Sequence, residues 1–297
     1  MENIKLKIFG KDEIIEKSII TLICGGHLLL DDIPGTAKTT LAKSIAQSIG
    51  GDFKRVQFTP DLLPSDITGI YFYNQKTGEF ILRKGAIFTN ILLADEINRS
   101  TPRTQSSLLE CMEEKQVSID GNTFKLSNPF FVIATQNPIE NFGTYPLPEA
   151  QLDRFLMCLT LGYPERTFED KILKLYSQDI SSMEISEVIS TKDLISAQNE
   201  VKDVKISNDV RGYILDLIDL TRNHKDISLG ISTRGGIALM RASQVVASIR
   251  GRDFVCPEDV SYVFKDVVSH RIILKHNTAI DKKALLDDLL KSVSVPR

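Results

Sequence analysis

Three adjoining stretches near the amino terminus constrain the fold more than anything else in the 297-residue chain. His27-Leu28-Leu29-Leu30 is a short apolar strand. A loop from Asp32 to Lys38 follows, and then Thr39 to Ile49 repeats Leu41, Ala42, Ile45, Ala46 and Ile49 on one helical face. Strand, glycine-containing loop and helix in direct succession form a phosphate-binding unit, and a strand apolar throughout belongs in a parallel sheet covered on both faces. The loop Asp32-Ile33-Pro34-Gly35-Thr36-Ala37-Lys38-Thr39, with Thr40 behind it, has the length and Lys-Thr ending of the Walker A pattern G-x-x-x-x-G-K-[ST]. Asp32 and Ala37 replace its two glycines. The physics survives the replacement. Successive backbone N–H groups at a helix start can cradle phosphates, Lys38 can neutralise their oxygens, and the Thr39 hydroxyl can reach Mg2+. Ala37 is expected to keep a negative φ. Taken alone, Lys38 fits a phosphate ligand and a solvated helix-start lysine equally well.

Ile91-Leu92-Leu93-Ala94 is a second apolar strand, ending in Asp95-Glu96, where a buried strand seldom carries two carboxylates. Asp95 is placed to hold the Mg2+ shell through water or Thr39, and Glu96 to polarise an attacking water. Phe131-Val132-Ile133-Ala134-Thr135 runs into Gln136-Asn137-Pro138, so Asn137 is either an orienter of that water or an Asn-Pro turn former. Further apolar runs at 54–58 and 156–159 complete the set. A helix over 12–24 stops at Gly25-Gly26.

Beyond Tyr163-Pro164 the segments 168–178, 191–204, 208–223, 235–249 and 257–268 show helical periods and few strand signals. The expected organisation is an α/β core over 1–163 followed by a helical domain over 164–297. Two hairpins interrupt the core. One runs over 68–82, with Ile70-Tyr71-Phe72-Tyr73 and Phe80-Ile81-Leu82 around the turn at 74–78, and the other over 116–126 with an Asp120-Gly121 turn. Tyr71, Tyr73 and Phe124 either face a partner or pack on their own domain.

The charge balance, 36 Lys and Arg against 39 Asp and Glu, offers no global field for nucleic acid or acidic lipid. No run approaches the ~20 apolar residues needed to span a bilayer, residues 1–7 carry charges where a signal peptide would need a continuous apolar stretch, and the chain is expected to be cytoplasmic. Cys24, Cys111, Cys158 and Cys256 form no C-x-x-C pair, so free thiols are expected and a zinc site is not.

Five strings in order resemble the MoxR group of AAA+ ATPases: 58–66 (Phe58-Thr59-Pro60-Asp61 onward), 74–80, Ala94-Asp95-Glu96-Ile97-Asn98-Arg99, Ala134-Thr135-Gln136-Asn137-Pro138, and 143–155 ending Leu152-Asp153-Arg154-Phe155. The resemblance covers nearly the whole chain, from Phe9-Gly10 to about His270. It implies a P-loop AAA+ core with a smaller helical lid, ATP and Mg2+ as ligands, Lys38 and Thr39 as the Walker A pair, Asp95 and Glu96 as the Walker B pair, and Asn137 as first sensor. Arg154 matches the arginine finger, which in this family reaches a neighbour's γ-phosphate; that implies a homo-oligomeric ring, most often a hexamer. Arg234, in Ser232-Thr233-Arg234-Gly235-Gly236, sits where the lid's second sensor is expected, although the family more often has Ser-Pro-Arg-Ala. Phe9-Gly10 fits the adenine-side box or a plain helix-entry turn, and Lys11 stands where Gln is common. Family members often begin further upstream.

The resemblance further implies an ATPase that remodels or matures a client protein, chaperone-like, often with a partner carrying a von Willebrand factor A domain. The alternatives within and beside this clade are a nucleic-acid-stimulated motor, against which the charge balance counts, a nucleotide-gated scaffold with little turnover because of Ala37, and the ATPase subunit of a metal-insertion chelatase.

Overall fold

The computed structural model describes residues 1–137, 143–177, 185–275 and 280–296. Pro138 and Gln178, the ends of two predicted segments, lie outside them. Strands β1 (Leu28–Asp31), β2 (Phe53–Gln57), β3 (Gly69–Asn74), β4 (Glu79–Lys84), β5 (Ile91–Asp95), β6 (Gln116–Ile119), β7 (Asn122–Lys125), β8 (Phe131–Gln136) and β9 (Met157–Leu159) precede β10 (Ile227–Leu229) and β11 (Ile273–Leu274). Five of them form one sheet in the order β2-β5-β8-β1-β9, with every pairing parallel. Leu28, Leu29, Leu30, Ile91, Leu92, Leu93, Ala94 and Ala134 are fully buried. That is the continuous apolar run a sheet covered on both faces requires, and each such leucine contributes about 2 kcal/mol of burial free energy.

The helices are α1 (Glu2–Lys5), α2 (Asp12–Ile23), α3 (Lys38–Ser48), α4 (Pro64–Thr68), α5 (Pro102–Glu114), α6 (Glu149–Leu152), α7 (Arg166–Ser177), α8 (Thr191–Glu200), α9 (Asn208–Asn223), α10 (Thr233–Ile249), α11 (Pro257–Val268) and α12 (Lys282–Ser292). On one sheet face Leu28, Leu30, Ile91, Leu93 and Ile133 pack in a single apolar cluster with α2 and α3, and this cluster continues into α9, α10, α11 and α12. On the other face Leu29, Leu92, Ala94 and Val132 pack against α5 and both hairpins. Alternate residues of each strand therefore serve two cores.

Both predicted hairpins are present. In β3–β4, Tyr71 packs on the second core, while Phe72, Tyr73 and Phe80 are exposed. In β6–β7, Asp120 and Gly121 both adopt positive φ, 47° and 81°, the turn that the Asp-Gly pair favours, and Phe124 packs edge-on against Phe88. The carboxy-terminal half departs from its predicted all-helical character. Ile227–Leu229 and Ile273–Leu274 pair antiparallel as a two-stranded ribbon.

Candidate active site

Because the sheet strands are parallel, the loops after β1, β5 and β8 emerge along one edge. There a cleft of about 280 Å3 is lined by Pro34 to Thr39, Asp95, Glu96 and Asn137, together with Arg55 and Gln57 from β2. The loop after β1 turns into α3 through Ala37, whose φ of 61° and ψ of 22° correct the expectation of a negative φ. Ala37 is the last residue before α3, so the loop enters the helix through a left-handed residue. Alanine adopts that conformation at a cost of about 1 kcal/mol. Gly35 has φ 84°, and a Cβ there would meet nothing within 4 Å, so its need is conformational rather than steric.

Lys38 Nζ donates to the carbonyls of Asp32 (2.8 Å) and Ile33 (2.9 Å), folding back over its own loop. The Asp32 side chain does not line the cleft. Buried, it accepts from the N–H groups of Ile33 (2.9 Å) and Gly162 (3.2 Å), tying the loop's entry to the chain leaving β9. The residue in place of the first signature glycine is therefore a structural tether.

At the end of β5 the two carboxylates point to different partners. Asp95 Oδ1 accepts from Thr135 Oγ1 (2.6 Å) and Asp95 Oδ2 from Arg55 (2.6 Å). Glu96 Oε2 accepts from Gln57 Nε2 (2.6 Å) and pairs with Arg99 Nε (3.1 Å), while the Glu96 backbone N–H donates to Thr135 Oγ1 (2.8 Å). Glu96 also has a left-handed backbone, φ 56°. Of the four non-glycine residues with positive φ among the described residues, Ala37 and Glu96 face this one cleft. Strain of this kind persists where surrounding structure enforces it, and it concentrates at functional sites. Arg55 and Gln57 carry no motif that sets them apart in the sequence, and Thr135 lies within the 134–138 string without being singled out there. A weaker signal was present, since Arg55 and Gln57 are two apart on a predicted strand and so share a face.

The remaining predicted residues lie elsewhere. Ile33 and Thr40 flank the cleft without lining it. Phe9 lies under Lys171, whose Nζ is 4.5 Å from the ring centroid, and Gly10 (φ 68°) is pressed against Phe168 of α7, where a Cβ would come within 2.4 Å of the ring. Arg154 and Arg234 do not reach the cleft of their own chain. They converge on one carboxylate, Glu113 at the end of α5: Arg154 at 3.2 Å on Oε2 and Arg234 on Oε1.

Residues 27–157 match the ATPase family associated with various cellular activities (AAA), and residues 219–289 match the AAA lid domain. The chain is 38% identical to Chaperone MoxR1 of Mycobacterium tuberculosis over 99% of this chain and 81% of that protein. The chain belongs to the MoxR family of AAA+ ATPases. YeaC of Bacillus subtilis is 46% identical over all of this chain and 93% of its own length. A crystal structure from Cytophaga hutchinsonii, of a protein described as a candidate ATPase, superposes with a TM-score of 0.91 at 39% identity, covering 100% of this chain and 93% of that one. The parallel sheet flanked by helices, with a helical lid region, is thus the AAA+ fold. No helix among the described residues is long and apolar enough to cross a membrane.

Proposed function

We propose that this MoxR-family chain hydrolyses ATP in a homo-oligomeric, hexameric ring and uses the cycle to remodel or mature a client protein, together with a von Willebrand factor A domain partner. Residues 1–163 would be its nucleotide-binding core and 164–297 its lid. The observation that carries the proposal is the single cleft that gathers the Lys38 loop, Asp95, Glu96 and Asn137 from three strand ends.

The loop N–H groups and Lys38 would hold the β- and γ-phosphates, Lys38 exchanging its present carbonyl partners for phosphate oxygens. Mg2+ fits the Thr39 hydroxyl and the Asp95 carboxylate, both hard oxygen donors in the same cleft, and when bound it would neutralise charge on the phosphates. Glu96, held by Gln57 and Arg99, is the base that draws a proton from the attacking water, and Asn137 orients that water. Arg154 would act on the γ-phosphate of the neighbouring copy. Such a finger is worth about 10³–10⁵ in rate, roughly 4–7 kcal/mol of barrier. The left-handed Ala37 supplies the loop conformation of a glycine, which counts against a scaffold crippled at that position.

Calorimetry and phosphate release test the proposal. Lys38→Ala is expected to abolish ATP binding. Glu96→Gln is expected to bind ATP without turnover, and wild-type turnover by that variant would remove the base assignment. Arg154→Ala is expected to lose hydrolysis and to regain it in part when mixed with Glu96→Gln subunits, which keep the finger. Capture of a client by the Glu96→Gln form with ATP tests the remodelling role.

A further inference from the structure

The residue before the proposed finger is gripped by the lid of the same chain. Arg271, just beyond α11, is 5% exposed. Its Nε donates to Asp153 Oδ1 (2.7 Å), one terminal nitrogen donates to the Leu156 carbonyl (3.0 Å), and the other donates to the carbonyls of Asp153 (3.3 Å) and Phe155. His270 adds a contact from Nε2 to the same Phe155 carbonyl (3.0 Å). Ser232, which caps α10 by accepting from the Gly235 N–H (3.0 Å), donates its hydroxyl proton to Asp153 Oδ2 (2.8 Å). Both oxygens of Asp153 are therefore taken by lid residues, and the backbone on either side of Arg154 is held by one buried guanidinium.

Room for that guanidinium is made at Gly235. A Cβ there would stand 2.9 Å from Arg271 Cδ and 2.5 Å from Ile231 Cγ2, so the missing side chain lets Arg271 pass the start of α10. The same helix start carries Arg234, which shares Glu113 with Arg154. Two arginines on one half-exposed carboxylate leave Arg154 a modest, exchangeable attachment at its tip, whereas its base is fixed by charge-assisted, buried bonds.

We infer that Arg271 is a positioning residue for hydrolysis: through Asp153 it sets where Arg154 is presented to the neighbouring copy, so that the lid of one chain governs the finger that serves the next. This rests on Arg154 acting in trans. It concerns no atom of the chain's own nucleotide cleft, whose lining includes neither Arg271 nor Asp153. The consequence is kinetic. A defect in Arg271 should lower kcat without weakening the ATP affinity of the subunit that carries it, and the missing function should be suppliable by another subunit.

The experiment compares Arg271→Gln, Asp153→Asn and Arg154→Ala in the full chain, measuring ATP affinity by calorimetry, steady-state kcat and KM, and recovery on mixing with Glu96→Gln subunits. For Arg271→Gln and Asp153→Asn the expected result is ATP affinity within about twofold of wild type, kcat lower by about tenfold or more, and partial recovery on mixing, as for Arg154→Ala. Arg271→Lys, which keeps the charge but loses the fork, should fall between. Should Arg271→Gln fail to fold, Asp153→Asn, which keeps its volume at a partly exposed position, decides between the outcomes. Unchanged kcat, a loss of ATP affinity matching the loss of kcat, or a defect that mixing leaves in place while Arg154→Ala recovers would overturn the inference alone. If Arg154→Ala itself shows no recovery, trans action falls, and this inference falls with it.

Discussion

Ala37 and Glu96 hold left-handed backbones on side chains that disfavour them, and each stands at the mouth of the cleft. For alanine the penalty is the contact of Cβ with the following carbonyl oxygen, about 1 kcal/mol; a β-branched side chain at the same φ adds clashes of its two Cγ substituents. Ala37→Val is therefore expected to cost about 2 kcal/mol in urea unfolding and to weaken ATP binding, whereas Ala37→Gly should leave stability within about 1 kcal/mol and affinity unchanged. An Ala37→Val protein with wild-type stability would contradict the left-handed assignment. Lys38, Thr39, Asp95, Glu96 and Asn137 stand at or after the ends of three strands, β1, β5 and β8, and parallel strands deliver those ends to one edge, so their meeting in one cleft was legible in the sequence. The sign of the Ala37 φ was not, since residue type alone argued for the cheaper conformation. Asp32 was misplaced for a related reason: its position in the pattern said nothing of the Gly162 N–H, 130 residues away, that claims its carboxylate.

At the scale of elements, His27 joins three of them. Its Nδ1 accepts from the Val132 N–H in β8 (3.0 Å), so the proton sits on Nε2, which donates to the Met112 carbonyl in α5 (3.1 Å). A second proton on Nδ1 would face a donor. Burial drives the pKa of His27 down to about 4, from an unfolded value near 6.5. Folded His27 thus binds fewer protons than unfolded His27, and its contribution is complete above pH ~6.5 and lost as the pH falls toward ~4, on the order of 3 kcal/mol. The Tm gap between wild type and His27→Gln should narrow across that window and stay constant above pH ~7; a gap independent of pH would refute it. The first hairpin makes a second prediction. A Cβ on Gly85 would lie 2.2 Å from the Ile67 carbonyl, so Gly85→Ala should destabilise the fold by about 2 kcal/mol in thermal unfolding. Long elements matched their sequence periods closely, α9 and α11 to the residue. The β10–β11 ribbon and α12 escaped. A strand of two or three residues has no period to show, and the Leu285, Leu286 and Leu289 stripe acquires meaning only against α9 and α11.

The whole molecule is held together by contacts that are remote along the chain. Arg271 meets Asp153 across 118 residues and Arg234 meets Glu113 across 121, which is why no local pattern announced either pair. If Arg154 serves a neighbour, specific ATPase activity should climb with protein concentration through the assembly range, and the Arg154→Ala variant should stay flat; activity per chain constant down to monomer concentrations would argue for a self-sufficient subunit. At the sheet's open margin, β2 presents exposed Lys54, Arg55 and Gln57. Unpaired strand margins invite sticking between molecules, and long charged side chains are a common protection against it. Here two members of the protective row, Arg55 and Gln57, also hold Asp95 and Glu96. Replacing Arg55 and Gln57 with valine, a swap that strand preference alone would recommend, should raise light scattering and derange the acidic pair in the same stroke, so colloidal behaviour and chemistry cannot be tuned separately along this margin.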